Sequence, residues 1–285
     1  MPILARRRAI NGAFRALSSL ALAAVVGPAA WIVIGVVASA VPHWKWSVLT
    51  TPTQGASGGL EGAILGTLVI VVGVGIVAGG IGILTGVHLA ETSRVRRDGR
   101  PGGGLLRGAS EVLSGFHSIV LGYVGYVALV VGLHWQFSLL AALIVLSVMV
   151  LPYIAKATEV ALRQVPTSYR EGAEALGMRT GFTLRRIVLK AALPGIATGV
   201  LVGLAIAVGE TAPLLYTAGW SPANPKAALI HQPIGYLTYP VWTFYDYPSA
   251  AAHQLSYDAA LLLVVLVVAL LAVARVIVWR SQRHS

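Results

Sequence analysis

An all-α membrane protein with six transmembrane helices is the fold class this sequence predicts, and three observations predict it. Of 285 residues, 56% are hydrophobic and only 11% charged, whereas a soluble domain carries roughly 25% charged residues. Six apolar segments lie at about 16–41, 61–89, 112–133, 137–155, 193–209 and 259–279. Each approaches or exceeds the roughly 20 residues that an α-helix needs to cross the hydrocarbon core. Nineteen of the 21 Lys and Arg residues fall at the termini or in every second connection, the bias that keeps cationic loops on the cytoplasmic face. Barrel strands would be about half as long and would alternate, so helices are the structure that satisfies the backbone in lipid.

The first segment follows Arg6, Arg7, Arg8 and Arg15. It runs well past the roughly 7–15 apolar residues of a signal peptide and is read as a retained span. The connection 43–60 contains GASGG at 55–59, which matches G-x-S-x-G. A hydrolase elbow needs a strand before it and a helix after it in an α/β sheet, so a flexible outside loop is expected instead. The second segment is dense in glycine, with Gly62/Gly66, Gly75/Gly79 and Gly82/Gly86 spaced by four, as are Gly195, Gly199 and Gly203 in the fifth. Such stripes let helices approach closely. Gly73, Gly75 and Ala78 imitate a dinucleotide fingerprint, but inside a span rather than at a strand-to-helix turn.

The connection 89–111 is basic, with Arg94, Arg96, Arg97, Arg100 and Arg107. The fourth segment contains Pro152 and leaves the bilayer through Lys156, Glu159 and Arg163, so its helix is set at 137–162. Arg170, Arg179, Arg185, Arg186 and Lys190 follow, which puts 163–192 inside. The fifth span is set at 193–215. The outside loop 217–257 has Tyr, Trp and Phe interleaved in GYLTYPVWTFYDYP, a composition expected to hug the membrane interface, with a lid or short re-entrant segment as the alternative. Arg275, Arg280 and Arg283 mark the last span and an inside C-terminus at 280–285, matching an inside 1–15; Lys45 and Lys226 alone occupy outside loops.

The net charge of +11 is therefore a matter of topology, and nucleic acid is not an expected partner. Membrane lipid is. There is no Cys, so no disulfide or thiol chemistry arises. None of the seven His has another at metal-ligand spacing, and no Lys follows a Gly as in a Walker A loop. No metal, cofactor or catalytic residue is expected, and any energised work must draw on a partner. A membrane enzyme would need convergent His, Asp or Cys groups. A membrane scaffold would keep the glycine stripes but need no docking helix.

One stretch does not fit a lipid environment: YREGAEALG, 169–177. Pro166 stops the preceding helix, Ser168 and Glu171 have the S-x-x-E spacing of a capping box, and Gly177 suits the left-handed residue past a helix end. The spacing predicts a helix over 169–176 with Tyr169, Ala173 and Leu176 on one face and Arg170, Glu171 and Glu174 elsewhere. Two turns are not stable alone. The apolar face either docks in a groove of another protein or lies on the membrane.

Glu171, Ala173, Gly177 and Ile187 reproduce E-x-A-x-x-x-G followed ten residues later by Ile. This resembles the EAA loop of bacterial ABC importer permeases, a coupling helix that seats on the ATPase subunit. Leu189-Lys190 stands where that family has Leu-Pro, while Leu193-Pro194 is intact. GETAPLLYTAG (209–219), LTGVHLAETSR (84–94) and VLPYIAKATEVALRQVPTSYREGAEALG (150–177) are similar to the phosphate importer's PstA-type permease. FHSIVLGYVGYVAL (116–129) fits too, with His117 where proline is expected.

The resemblance implies a MetI-like type I ABC importer permease in a bacterial inner membrane, with both termini cytoplasmic. It implies a homologous PstC-type permease as heterodimer partner, a PstB-type ATPase dimer and an extracytoplasmic phosphate-binding protein, with phosphate as cargo. Sulfate, molybdate or another small solute remains the alternative, because the EAA loop is shared. Tyr169, Arg170, Glu171, Ala173, Glu174, Leu176, Gly177 and Ile187 are the expected ATPase-coupling residues. Glu210, Thr211 and Pro213 are the pore or gate candidates: Glu210 ends an apolar run, and an ionisable group at membrane depth is a functional candidate. Three readings of Glu210 stay open: solvation at the interface, pairing with an Arg of the companion permease, and direct work in transport.

Overall fold

A computed structural model of the chain describes residues 2–95, 104–226 and 228–282. Arg96, Arg97, Arg100 and Arg283 of the basic clusters lie outside the described residues. The chain divides into two compact units, 1–45 and 46–285. The first is helix α1, Pro2–Ala40, closed by one 3-10 turn at Val41–His43. Its stretch Asn11–His43 is long and apolar enough to cross a membrane, and its large side chains from Phe14 to Ile34 are exposed.

In the second unit, GASGG does not form an irregular loop. Strands β1 (Thr53–Gln54) and β2 (Ser57–Gly58) pair antiparallel, Thr53 opposite Gly58. The Thr53 hydroxyl donates to the Gly59 carbonyl at 2.6 Å. The helices that follow are α2 (Glu61–Val95), α3 (Gly104–Gly115), α4 (Ser118–Gly125), α5 (Leu139–Gln164) and α6 (Thr167–Ala175). Then come α7 (Thr180–Thr183), α8 (Leu189–Gly209), α9 (Ala212–Thr217), α10 (Thr238–Thr243) and α11 (Ala250–Gln282). Glu61–Thr92, Leu139–Gln164, Thr180–Gly209 and Ala250–Ser281 join Asn11–His43 as helices long enough to span, and the bent pair Leu106–Gly115 and Ser118–Gly132 makes up a sixth.

Two spans differ from expectation. The third, expected as one helix over 112–133, is bent by 104° between α3 and α4. His117 sits at the break with φ −66° and ψ 141°. That φ is the value a proline ring would impose, so histidine adopts the proline geometry without the ring. Beyond α4 the helix widens into a π turn over Tyr126–Gly132. The fifth span, expected over 193–215, is helical from Thr180 through a π turn at Leu184–Val188 and stops at Gly209. A continuous helix would need the Pro213 nitrogen to donate to the Gly209 carbonyl, and proline has no donor. The helix thus begins inside the expected loop 163–192 and runs unbroken across Leu189 and Lys190 and through Pro194.

Helix α5 runs through Pro152 and is packed between α2 and α8. A methyl group on Gly82 of α2 or Gly203 of α8 would meet the fully buried Ile154 of α5 at 2.8 and 2.9 Å. The two glycines thus bring two helices onto one side chain from opposite sides. At the end of this core that bears the basic residues, Ala90, Leu162, Val165, Val188 and Ile196 form a buried cluster.

The opposite end corrects the reading of 217–257 as a surface-hugging loop. Ile234, Gly235, Tyr236, Leu237 and Thr238 are buried. The Gly235 carbonyl lies where a side chain on Gly66 would stand, and the Leu237 N–H donates to the Thr67 hydroxyl at 2.9 Å. Trp220 stacks on Tyr239 with centroids 4.3 Å apart, and Phe244 meets both edge-on. Phe244 is buried, and Trp220 and Tyr239 pack half-buried against its cluster, whereas Trp242 and Tyr245 are 65% and 54% exposed.

Candidate functional site

After α5, Val165 and Pro166 take extended backbone (ψ 123° and 140°) and turn the chain into α6. The cap falls on Pro166 rather than Ser168, so the S-x-x-E capping box does not form; no side chain caps this helix. Thr167 already occupies the first helical position, which leaves Ser168 inside the helix. The other end follows the sequence reading. Gly177 has φ +69°; its N–H donates to the Glu174 carbonyl at 2.9 Å, and that of Met178 donates to Ala173 at 3.0 Å. This pair of bonds is a Schellman closure, which requires a residue that adopts positive φ cheaply.

Only Ala173 of the expected apolar face is buried, at 3% exposure; Tyr169 and Leu176 stand 51% and 75% exposed. Glu171 and Glu174 are also exposed. The helix therefore presents a mixed surface of two large apolar side chains and two carboxylates, docked from behind through Ala173. Ile187 is half-buried in the π turn beyond it. Arg170 departs from expectation: its guanidinium turns inward and donates to both Glu91 carboxylate oxygens of α2, at 2.7 and 3.2 Å. Sequence spacing could not show this, because the residues are 79 apart.

A second charged cluster was not singled out from sequence. Glu159 of α5 is 1% exposed and holds Arg163 at 2.6 Å, Arg107 of α3 at 2.8 Å and Lys156 at 3.5 Å. The Lys156 and Arg163 contacts follow helical spacing; the one from α3 depends on the bend at His117. A cavity of about 300 Å³ lies beside it, lined by Leu89, Arg107, Pro152, Tyr153 and Lys156 among others.

The pore candidates sit at the break between α8 and α9. Glu210 is extended (φ −77°, ψ 128°) and half-buried, Thr211 is half-buried, and Pro213 is buried as the second residue of α9. The Thr238 hydroxyl donates to the Glu210 carbonyl at 3.2 Å, and the Ser118 side chain stands near its carboxylate. Ser118 is the first residue of α4, so the breaks in the third and fifth spans face each other across Glu210. A methyl on Gly122 would meet Pro213 Cα at 2.8 Å, which shows how closely α4 and α9 run. The ion pairs of the described residues do not include Glu210.

Residues 78–283 match the family described as binding-protein-dependent transport system inner membrane component. The chain is 56% identical over 281 residues to the phosphate transport system permease protein PstA 2 of Mycobacterium bovis, covering 98% of this chain and 91% of that one. It is 32% identical to a probable phosphate transport system permease protein PstA of Methanocaldococcus jannaschii, covering 89% and 88%. Among solved structures, the inward-facing MetNI methionine ABC transporter shares the fold with a TM-score of 0.60 at 23% identity, over 78% of this chain and 97% of that one.

Proposed function

The chain belongs to the binding-protein-dependent transport system inner membrane component family and is a permease subunit of an ABC importer, and we propose that its cargo is inorganic phosphate and that α6 is its ATPase-docking element. The likeness to PstA-type permeases over nearly the whole chain supports the cargo. The observation that carries the docking role is α6 itself: a two-turn helix closed by Gly177, with Tyr169, Glu171, Glu174 and Leu176 free on its outer side. A helix this short gains stability from what it packs against, and two large exposed side chains between carboxylates suit a protein groove better than lipid.

The complex would hold this chain beside a homologous PstC-type permease, above a PstB-type ATPase dimer and below a phosphate-binding protein. The chain itself performs no covalent chemistry; ATP is hydrolysed by the partner. ATP-driven closure of the ATPases pushes α6, and the spans it is tied to reorient around the paired breaks at His117 and Glu210. The termini, 89–111 and 163–192 face the cytoplasm of an inner membrane, and 43–60 and 217–257 face outward, an orientation supported by the charge bias.

Phosphate uptake tests the cargo. In a strain lacking this subunit, its expression together with its companions restores uptake of labelled phosphate, and excess sulfate or molybdate does not compete. Restored sulfate or molybdate uptake without phosphate uptake would assign the sister importer instead. Reporter fusions at residues 50 and 235 are expected outside, and at 100 and 285 inside; an inside signal at 235 would refute the six-span topology.

A further inference from the structure

Helix α6 is joined to its neighbours by extended backbone on both sides, at Val165 and Pro166 before it and at Arg179 after it. Extended residues lack the helical hydrogen bonds that transmit a rotation, so the connections alone would let α6 swivel. One further bond restrains it. The Arg170–Glu91 contact is bidentate, with side chains only 13% and 23% exposed. A planar guanidinium gripping both carboxylate oxygens fixes angle as well as distance, and partial burial makes it stronger than an exposed pair.

Glu91 is also well placed to receive a force. Its neighbour Ala90 is 1% exposed, in the cluster that contains Leu162 of α5 and Ile196 of α8. The second span therefore enters the same core as the fourth and fifth beneath the docking helix, although 79 residues of chain separate Glu91 from Arg170.

We propose that the Arg170–Glu91 pair is a strut that ties the docking helix to the second span, so that a push on α6 moves the second, fourth and fifth spans as one body. Arg170 and Glu91 are positioning residues for transport. The inference rests on α6 being the ATPase-docking element, but Glu91 itself stands off the exposed docking face.

The test uses the assembled complex in proteoliposomes with the companion permease, ATPase and binding protein, and measures phosphate moved per ATP hydrolysed. Glu91→Ala is expected to retain the ATPase subunit at wild-type recovery while that ratio falls about tenfold, a typical size for coupling between sites. Glu91→Gln, which keeps an acceptor without the charge, falls less and covers the case in which the alanine variant does not fold. Reversal of the pair, Glu91→Arg with Arg170→Glu, recovers most of the ratio that either single reversal loses. An unchanged ratio in Glu91→Ala and Glu91→Gln, loss of the ATPase from them, or a double reversal no better than the single ones would overturn the strut. Failure of the wild-type permease to recover the ATPase would instead refute the docking reading beneath it.

Discussion

At the basic end of the helical core, Glu91 and Glu159 hold Arg170, Arg107, Arg163 and Lys156 within 3.5 Å. At the opposite end, the 217–257 segment is held by backbone against glycine, by the Thr67 hydroxyl and by stacked rings. Around Glu159 such a joint can be remade after a small movement, since its three cations are 40–69% exposed and can follow it; the bidentate Arg170–Glu91 pair is held in angle as well as distance. The packed contacts of the opposite end cannot be remade in this way, because a packed core is bistable rather than continuously deformable. The difference leaves adjustable ion pairs around Glu159 at the basic end and close-packed contacts around the 217–257 segment at the other.

The largest effect is expected at the rigid end. Gly66→Val would drive a branched side chain into the Gly235 carbonyl, at or beyond the upper end of the roughly 1–3 kcal/mol typical of overpacking. Membrane extracts should show little folded permease by protease protection. A normal level would mean that the outer loop is free to move away, and the contrast between the ends would fail.

Glu159→Ala comes next. It removes a buried acceptor of three cations, but Arg107, Lys156 and Arg163 are 40–69% exposed and can turn to water. The expected loss is about 1.5–3 kcal/mol, the scale of hydrogen bonds to charged groups, read as a lower melting temperature in detergent. Gly177→Asp should cost less than the roughly 1–2 kcal/mol an ordinary residue loses when held left-handed, because Asp tolerates that backbone better than most, with open space around the new Cβ. It also adds charge beside Leu176, so phosphate uptake and ATPase recovery should fall together while membrane level holds. Unchanged values for both would refute the docking assignment.

The smallest effect on stability is expected at Glu210. Glu210→Gln keeps the size and an acceptor oxygen and should cost about 1 kcal/mol or less, while transport falls; Glu210→Asp is milder. If an arginine of the companion permease faces it, exchanging the two residues restores part of the transport. Wild-type transport in Glu210→Gln would leave Glu210 as a solvated cap and remove it from the gate.

These differences also explain what could be read in the chain. Membrane class, the six apolar segments and the left-handed Gly177 are local properties, carried by composition and by residues a few positions apart. The break at Glu210 was legible in principle, since Pro213 denies Gly209 its hydrogen-bond donor. The bend at His117 was not, because nothing but the missing proline marks it. The inward turn of Arg170, the burial of Glu159 with Arg107 and the sinking of Gly235 against Gly66 join residues far apart in sequence. Spacing along one helix assigns a side chain to a face, not to what lies against that face.

The absence of cysteine makes the docking claim open to direct measurement. A single cysteine introduced at Leu176, 75% exposed, is labelled with a thiol-reactive maleimide that carries a benzophenone, which inserts into C–H bonds of whatever lies beside it on irradiation, in membranes that contain the whole complex. The same treatment is applied to a cysteine at Ala56, in the β1–β2 turn. The account expects Leu176→Cys to crosslink to the ATPase subunit and Ala56→Cys not to. Co-purification of the ATPase with no crosslink from Leu176→Cys, or with one from Ala56→Cys, would contradict it.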